Sequence, residues 1–203
     1  MYIPPQFEIT NPETIASVIQ QNGFASLVSR DGEAMCASHV PLLLFGAAAK
    51  GGELHGHLAA SNPQLELLDG QNALAMFHGP HAYISPQAYA VASVPTWNFV
   101  AVHVHGTARR LHERARQDEN LAQLVAHYEG AAPQRALALK QQAALKAGIG
   151  HFVIDIETVQ AKFKLSQNKS AEDRARIIDD LRARDDSLAQ AIADEMARLP
   201  END

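Results

Sequence analysis

Alternation of apolar and polar side chains is sharpest over Phe99–Thr107. There Val100, Val102 and Val104 fall on one side of an extended chain, and Phe99, Ala101, His103, His105 and Thr107 fall on the other. The valine side predicts a strand facing a core. The other side mixes an aromatic ring, two imidazoles and a hydroxyl, which suits neither core nor water and predicts a face covered by a ligand or a second subunit. Pro95 fits the start of a strand rather than its middle, because it cannot donate a ladder hydrogen bond. Thr96, Trp97 and Asn98 stand at the mouth of this strand, and Trp97 is the single tryptophan of the chain.

The same patterning predicts the other elements. Residues 2–9 form an extended arm, since Pro4-Pro5 excludes helix. Asn11 caps a helix with Pro12 in its first turn and Ile15, Val18 and Ile19 as its apolar stripe; Gly23 ends it. Phe24–Ser29 and Glu33–Leu44 read as a hairpin around Asp31-Gly32. Glu53–Ala59 is a third strand, with His55 and His57 on one face, and Asn62-Pro63 opens a short helix. Ala73–His78 is a fourth strand, broken by Gly79-Pro80-His81 and resumed briefly over Ala82–Ser85. Pro86–Ser93 is a loop. Glu113–Glu129 is a helix with Leu121, Leu124, Val125 and Tyr128 on one stripe, and Ala131–Gly148 is helical beyond Pro133. Phe152–Ile156 is a strand that Val159–Leu165 continues, and Ser166–Lys169 is a polar turn. Ser170 caps an amphipathic helix over Arg174–Arg184, and after Asp185-Asp186-Ser187 a last helix carries Leu188, Ile192 and Met196.

About six strands joined mostly by hairpins and short helices predict a mainly β fold, an antiparallel barrel with peripheral helices rather than a parallel doubly wound sheet. Residues 1–170 make the barrel domain with inserted helices, and 171–203 a C-terminal helical extension. With 203 residues, 46% hydrophobic and 20% charged, the chain has the composition of a soluble globular domain. No apolar run approaches the roughly 20 residues that span a bilayer, and the first residues lack the pattern of a secretory signal. The single Cys36 fits a reducing cytoplasm. A net charge of −6 argues against strong nonspecific binding of nucleic acid.

Three chemistries are worth weighing. His55 with His57, or His103 with His105, could chelate a metal from one strand face, but a metal barrel normally wants a carboxylate in register, Glu113 lies past the strand end and there is no cysteine cluster, so no metal is expected. Ser38, Ser85 and Ser166 lack a nucleophile elbow, and Ser38 and His39 point to opposite faces as strand neighbours. Lys162-Phe163-Lys164-Leu165-Ser166-Gln167-Asn168-Lys169-Ser170 puts three lysines ahead of a helix start. By spacing this is a solvated polar turn with a cap; alternatively it cradles the phosphate of an aromatic cofactor, with Lys162, Lys164 and Ser166 on one face and Trp97, Phe99 and Tyr83 against a flat ring.

Six blocks in order carry a family likeness. They are Met-Tyr-Ile-Pro-Pro-Gln-Phe at the start, Ala-Ser-His-Val-Pro-Leu-Leu-Leu (37–44), Gly-His-Leu-Ala-Ala-Ser-Asn-Pro (56–63), Phe-His-Gly-Pro-His-Ala-Tyr-Ile-Ser-Pro (77–86), Val-Pro-Thr-Trp-Asn-Phe-Val-Ala-Val-His-Val-His-Gly (94–106) and Lys-Phe-Lys-Leu-Ser-Gln-Asn-Lys (162–169). Together they resemble the PaiB family, the FMN-binding negative transcriptional regulators. Two segments depart from the family pattern: the loop between Ser85 and Val94 is shorter, and 129–150 is Ala/Gln-rich without the expected Trp.

The resemblance implies an FMN-binding split β-barrel, a homodimer with flavin at the subunit interface, and a role in repressing transcription. Within the matching motifs, Lys162, Lys164 and Ser166 would hold the phosphate, with Gln167 and Asn168 beside them. Thr96, Trp97 and Asn98 would meet the ring or its polar edge, and His39, His57 and His103 would line the pocket or the interface. Three rival functions stand beside this one: a flavin- or haem-dependent oxidoreductase on this barrel, a cofactor-free regulator acting through a protein partner, and direct DNA binding through Arg174, Arg176, Arg182 and Arg184.

Overall fold

A computed structural model describes residues 1–91, 93–130 and 146–199. In chain order these form a 3-10 turn at Pro5–Phe7, β1 (Glu8–Ile9), α1 (Pro12–Gln21), β2 (Phe24–Asp31), β3 (Ala34–Pro41), β4 (Leu43–Phe45), β5 (Glu53–Ala59) and α2 (Gln64–Leu67). There follow β6 (Gln71–Ile84), a second 3-10 turn at Pro86–Ala88, β7 (Thr96–Arg110), α3 (Arg114–Glu129), β8 (Ile149–Lys164), α4 (Ala171–Arg182) and α5 (Ser187–Arg198). The strands join one sheet in the order β3-β2-β6-β7-β8-β5-β4, with β1 paired to β8. The pairings of β1 with β8, β2 with β3 and β6, and β5 with β4 and β8 are antiparallel. The helix expected over 131–148 falls mainly outside the described residues.

Contacts divide the described chain into two compact units. One comprises Met1–Val18, His78–Val102 and Gln160–Asp203, the other Ile19–Phe77 and His103–Val159. In the first, Val100, Val102, Phe163 and Leu165 from the strands and Ile177, Leu181, Ile192 and Met196 from the two C-terminal helices are buried. Those helices start where the sequence predicts: Ser170 Oγ accepts from the amide of Asp173 at 3.1 Å, and Asp186 Oδ1 from that of Leu188 at 2.9 Å. In the second unit Leu27, Leu42, Leu54, Leu65, Phe77, Val104, Phe152 and Ile154 are buried.

Two strand boundaries differ from expectation. Residues 33–44 do not run as one strand. Pro41 has no amide hydrogen, and the amide of Leu42 turns to the carbonyl of Gly23 at 2.8 Å, so β3 stops and β4 begins after it. Conversely, Gly79-Pro80-His81 does not break its strand. It changes the strand's phase: the buried positions of β6 are Ala73, Ala75, Phe77 and Gly79, then Ala82 and Ile84. Gly79 makes this feasible, since a Cβ there would lie 2.9 Å from Val100 Cβ. Pairing with β2 is through Leu74–Met76, so the amide hydrogen Pro80 lacks removes no rung of that ladder.

β8 shows the same change. Phe152, Ile154 and Ile156 are buried, then Ala161 and Phe163, with Leu165 just beyond its end. One extra residue produces such a shift. β7 keeps one phase throughout: Asn98, Val100, Val102, Val104, Gly106 and Ala108 are all buried.

The β5–β8 register sets His57 opposite His151, with ring centroids 5.6 Å apart. His151 is buried and its Nδ1 lies 3.5 Å from the Asn120 amide nitrogen on α3. Burial, and the neighbouring His57 after it, push its pKa down to about 4, against a smaller upward pull from Asp118. Unfolding restores an ordinary imidazole near pH 6.5, so the unfolded chain binds this proton more tightly. The associated stability is present above that pH and is lost as pH falls towards 4, by at most about 3 kcal/mol. His151→Gln should therefore flatten the acid limb of a urea-midpoint profile between pH 7 and 4.5; a profile parallel to wild type would show that His151 does not supply it. Phe152, wholly buried, should cost about 3–5 kcal/mol on truncation to Ala, read as a lower urea midpoint at pH 7.5.

Candidate functional site

Eight of the sequence-predicted site residues belong to one compact unit: Thr96, Trp97 and Asn98 at the start of β7, and Lys162, Lys164, Ser166, Gln167 and Asn168 at the end of β8 and in the turn after it. Lys164 Nζ donates to Thr96 Oγ1 and, at 2.7 Å, to the carbonyl of Trp97. Lys162 Nζ donates to the carbonyl of Tyr2 at 3.1 Å and lies 5.3 Å from the Phe99 ring centroid and 5.7 Å from that of Tyr2. Lys169 Nζ lies 4.9 Å from the ring centroid of Tyr89. Among the described residues none of these three amines pairs with a carboxylate. Burial lowers the pKa of Lys164, and repulsion from Lys162 and then Lys169 adds to the shift.

Asn98 and Ser166 play a different part from the one expected. Even positions of β7 from Asn98 to Ala108 face the core, so Asn98 is 0% exposed and does not reach a ligand ring at the surface. Its Nδ2 lies 3.0 Å from Ser166 Oγ and 3.5 Å from Met196 Sδ, and Ser166 Oγ returns a contact to Asn98 Oδ1 at 3.2 Å. Ser166 is itself 4% exposed and adopts a φ of 61°, a left-handed turn that its bonding to Asn98 helps to hold. Gln167 folds back over the same turn, donating to the carbonyl of Phe163 at 2.5 Å and accepting from the amide of Leu165 at 2.7 Å. These three side chains build the turn that carries Lys164 and Lys169. Asn168 is exposed at its tip.

Trp97 is 52% exposed and Tyr83 42% exposed. The indole meets His81 at a centroid separation of 5.6 Å and Tyr83 edge-on at 6.2 Å. Phe99 shares the outward face of β7 with Trp97. The unit thus carries amines without counter-ions together with exposed aromatic faces, a donor set for an anionic ligand with a flat ring.

The three histidines lie in the other unit. His39 is exposed on β3, 3.2 Å from Ser26 Oγ and beside the Phe24 ring. His57 faces His151, and burial lowers its pKa. His103 is half-buried on the mixed face of β7. Among the described residues no group of three or more His, Cys, Asp or Glu could hold a metal ion, and no helix is long and apolar enough to cross a membrane. Sequence reasoning left Lys169 and Tyr2 out of the site. Lys169 was visible in the lysine-rich motif; Tyr2 reaches Lys162 only because β1 pairs with β8.

Residues 1–158 match the family described as "Putative FMN-binding domain". The lysine-bearing end of β8 follows directly on that span. The chain is 36% identical over 203 residues to "Protease synthase and sporulation protein PAI 2" of Bacillus subtilis, covering 97% of this chain and 96% of that protein. Among solved structures, the FAD and heme binding protein from Mycobacterium smegmatis superposes with a TM-score of 0.62 at 16% identity, covering 77% of this chain and 73% of that one. The flavocytochrome Anf3 from Azotobacter vinelandii superposes with a TM-score of 0.59 at 14% identity, over 77% and 69%. These likenesses establish the fold, which is the mainly β split-barrel class with peripheral helices that the sequence predicts. The donor set of this unit fits a phosphorylated flavin, with amines for the phosphate and aromatic faces for the ring. The chain belongs to the PaiB family of FMN-binding proteins.

Proposed function

We propose that FMN is held by the first compact unit, with Lys162, Lys164 and Lys169 at its phosphate and Trp97 and Tyr83 at its ring, in a homodimer that regulates transcription. The observation that carries this reading is the set of three amines without a carboxylate partner among the described residues. Like charges held close repel one another, and an anion relieves that repulsion. Bound FMN supplies reversible electron acceptance. The protein's part is to fix the phosphate, to keep Lys164 aimed through Thr96 and the Trp97 carbonyl, and to present the indole. Asn98, Ser166 and Gln167 set the turn from behind.

The outward face of β7 supports a second subunit. Trp97 is exposed on it, and Val91 and Val94, just before the strand, are 72% and 73% exposed.

Regulation through a protein partner fits the surface better than direct DNA contact. Arg174 is buried and donates to the carbonyl of Met196 at 3.2 Å. Arg182 pairs with Asp194 at 3.3 Å, and Arg184 with Asp180 at 2.5 Å and the carbonyl of Tyr83 at 2.7 Å. Three of the four arginines that DNA would need are engaged within the protein.

Two outcomes follow. Lys164→Glu puts a negative charge beside the phosphate and should weaken FMN at least tenfold, about 1.4 kcal/mol, in a flavin-fluorescence titration; an unchanged Kd would remove Lys164 from the site. Promoter DNA should not shift in a gel at low salt. A salt-dependent shift would instead establish the DNA-binding reading.

A further inference from the structure

The opening segment Met1–Phe7 is anchored through its backbone at several points. Phe7 is buried, and its amide donates to the carbonyl of Pro4 at 2.9 Å. β1 then pairs with β8 at Glu8↔Lys162 and Ile9↔Ala161. Further towards the N-terminus, the carbonyl of Tyr2 accepts from Lys162 Nζ at 3.1 Å. The arm is therefore tied to β8 both through its own short strand and through the amine of Lys162.

Against that fixed backbone the Tyr2 side chain is 83% exposed. Ordering a chain costs conformational entropy, and leaving a held aromatic ring in water forgoes the burial that would offset it. The ring stands beside Lys162, whose amine lies between the faces of Tyr2 and Phe99. A ligand anion recruited by Lys162 would arrive next to a phenol whose hydroxyl is a hydrogen-bond donor.

We propose that the N-terminal arm is a wall of the flavin site and that Tyr2 is a ligand-contacting residue in it, its hydroxyl donating to the phosphate and selecting phosphorylated flavin over riboflavin. This rests on the assignment of the phosphate to the lysine cluster. A neutral ligand gains little from Lys162, Lys164 or the Tyr2 hydroxyl and keeps only the aromatic contacts, the Tyr2 ring among them. A phosphate engages all three, and the hydroxyl bond to a charged group is the stronger kind.

The test is fluorescence titration of the full chain with FMN and with riboflavin, for wild type, Tyr2→Phe, Tyr2→Ala and Lys164→Glu. The exposed position of Tyr2 should leave the melting temperature of both Tyr2 variants unchanged. Tyr2→Phe is expected to weaken FMN about tenfold and to leave riboflavin within twofold; Tyr2→Ala should weaken both flavins. If both Tyr2 variants bind FMN as wild type does while Lys164→Glu binds it poorly, the lysine site stands and the Tyr2 contact falls. If Tyr2→Phe is unchanged and Tyr2→Ala is weakened, the ring touches the ligand and the phosphate contact is overturned. If Lys164→Glu is itself unchanged, or wild type fails to prefer FMN, the phosphate assignment and the role of Tyr2 fall together.

Discussion

Strict alternation of side chains along extended backbone is the constraint from which the site follows. On β8 the core positions Phe152, Ile154 and Ile156 are even-numbered. Continued unchanged, that phase would turn Lys162 and Lys164 into the interior, where an unpaired amine costs several kcal/mol. The strand instead shifts by one residue. Ala161, Phe163 and Leu165 become the buried set, and the two lysines face outward. β6 shifts as well, between Gly79 and Ala82, and this brings Tyr83 to the surface. β7 needs no shift, because its even positions from 98 to 108 are small, apolar or, at Asn98, internally bonded.

The phase change leaves an electrostatic consequence. Lys162, Lys164 and Lys169 are held by carbonyls, a hydroxyl and aromatic faces, none of which carries a full negative charge. In an acidic chain with net charge −6, carboxylates are plentiful, and several of them engage arginines and Lys146 elsewhere. Glu53 alone meets His55, Arg109 and Arg116. The cluster is thus a local exception to the overall charge, which is why net charge says little about anion binding at one place on a surface.

The turn after β8 shows how structural and ligand-facing roles divide within one motif. Lys-Phe-Lys-Leu-Ser-Gln-Asn-Lys reads as a polar run, yet Phe163, Leu165 and Ser166 are buried and Gln167 closes the turn on its own backbone. Only the lysines and Asn168 remain to face outward. Polar residue type alone cannot separate these roles, because a hydroxyl or amide serves a buried neighbour as readily as a ligand.

Local chemistry made much of the fold legible. Asp31-Gly32 fixes a hairpin whose register ends at Asp31↔Ala34. Asn11, Ser170 and Asp186 cap helices through their own side chains, and the valines of β7 alternate with a mixed face that is exposed at Trp97. The ordered blocks identified the family and its cofactor. What tertiary structure alone decided was placement across long separations in sequence. The break expected at Gly79-Pro80 became a phase shift because Val100 sits where a side chain at position 79 would be. The shift on β8 falls in Glu157–Gln160, which contains neither Gly nor Pro, so no residue announced it. Asn98 joined the core, and Tyr2 came to Lys162 by way of strand pairing. Alternation, caps and turns act over a few neighbouring residues and can be read from them; strand phase and cross-strand neighbours depend on which other segment supplies the opposing surface.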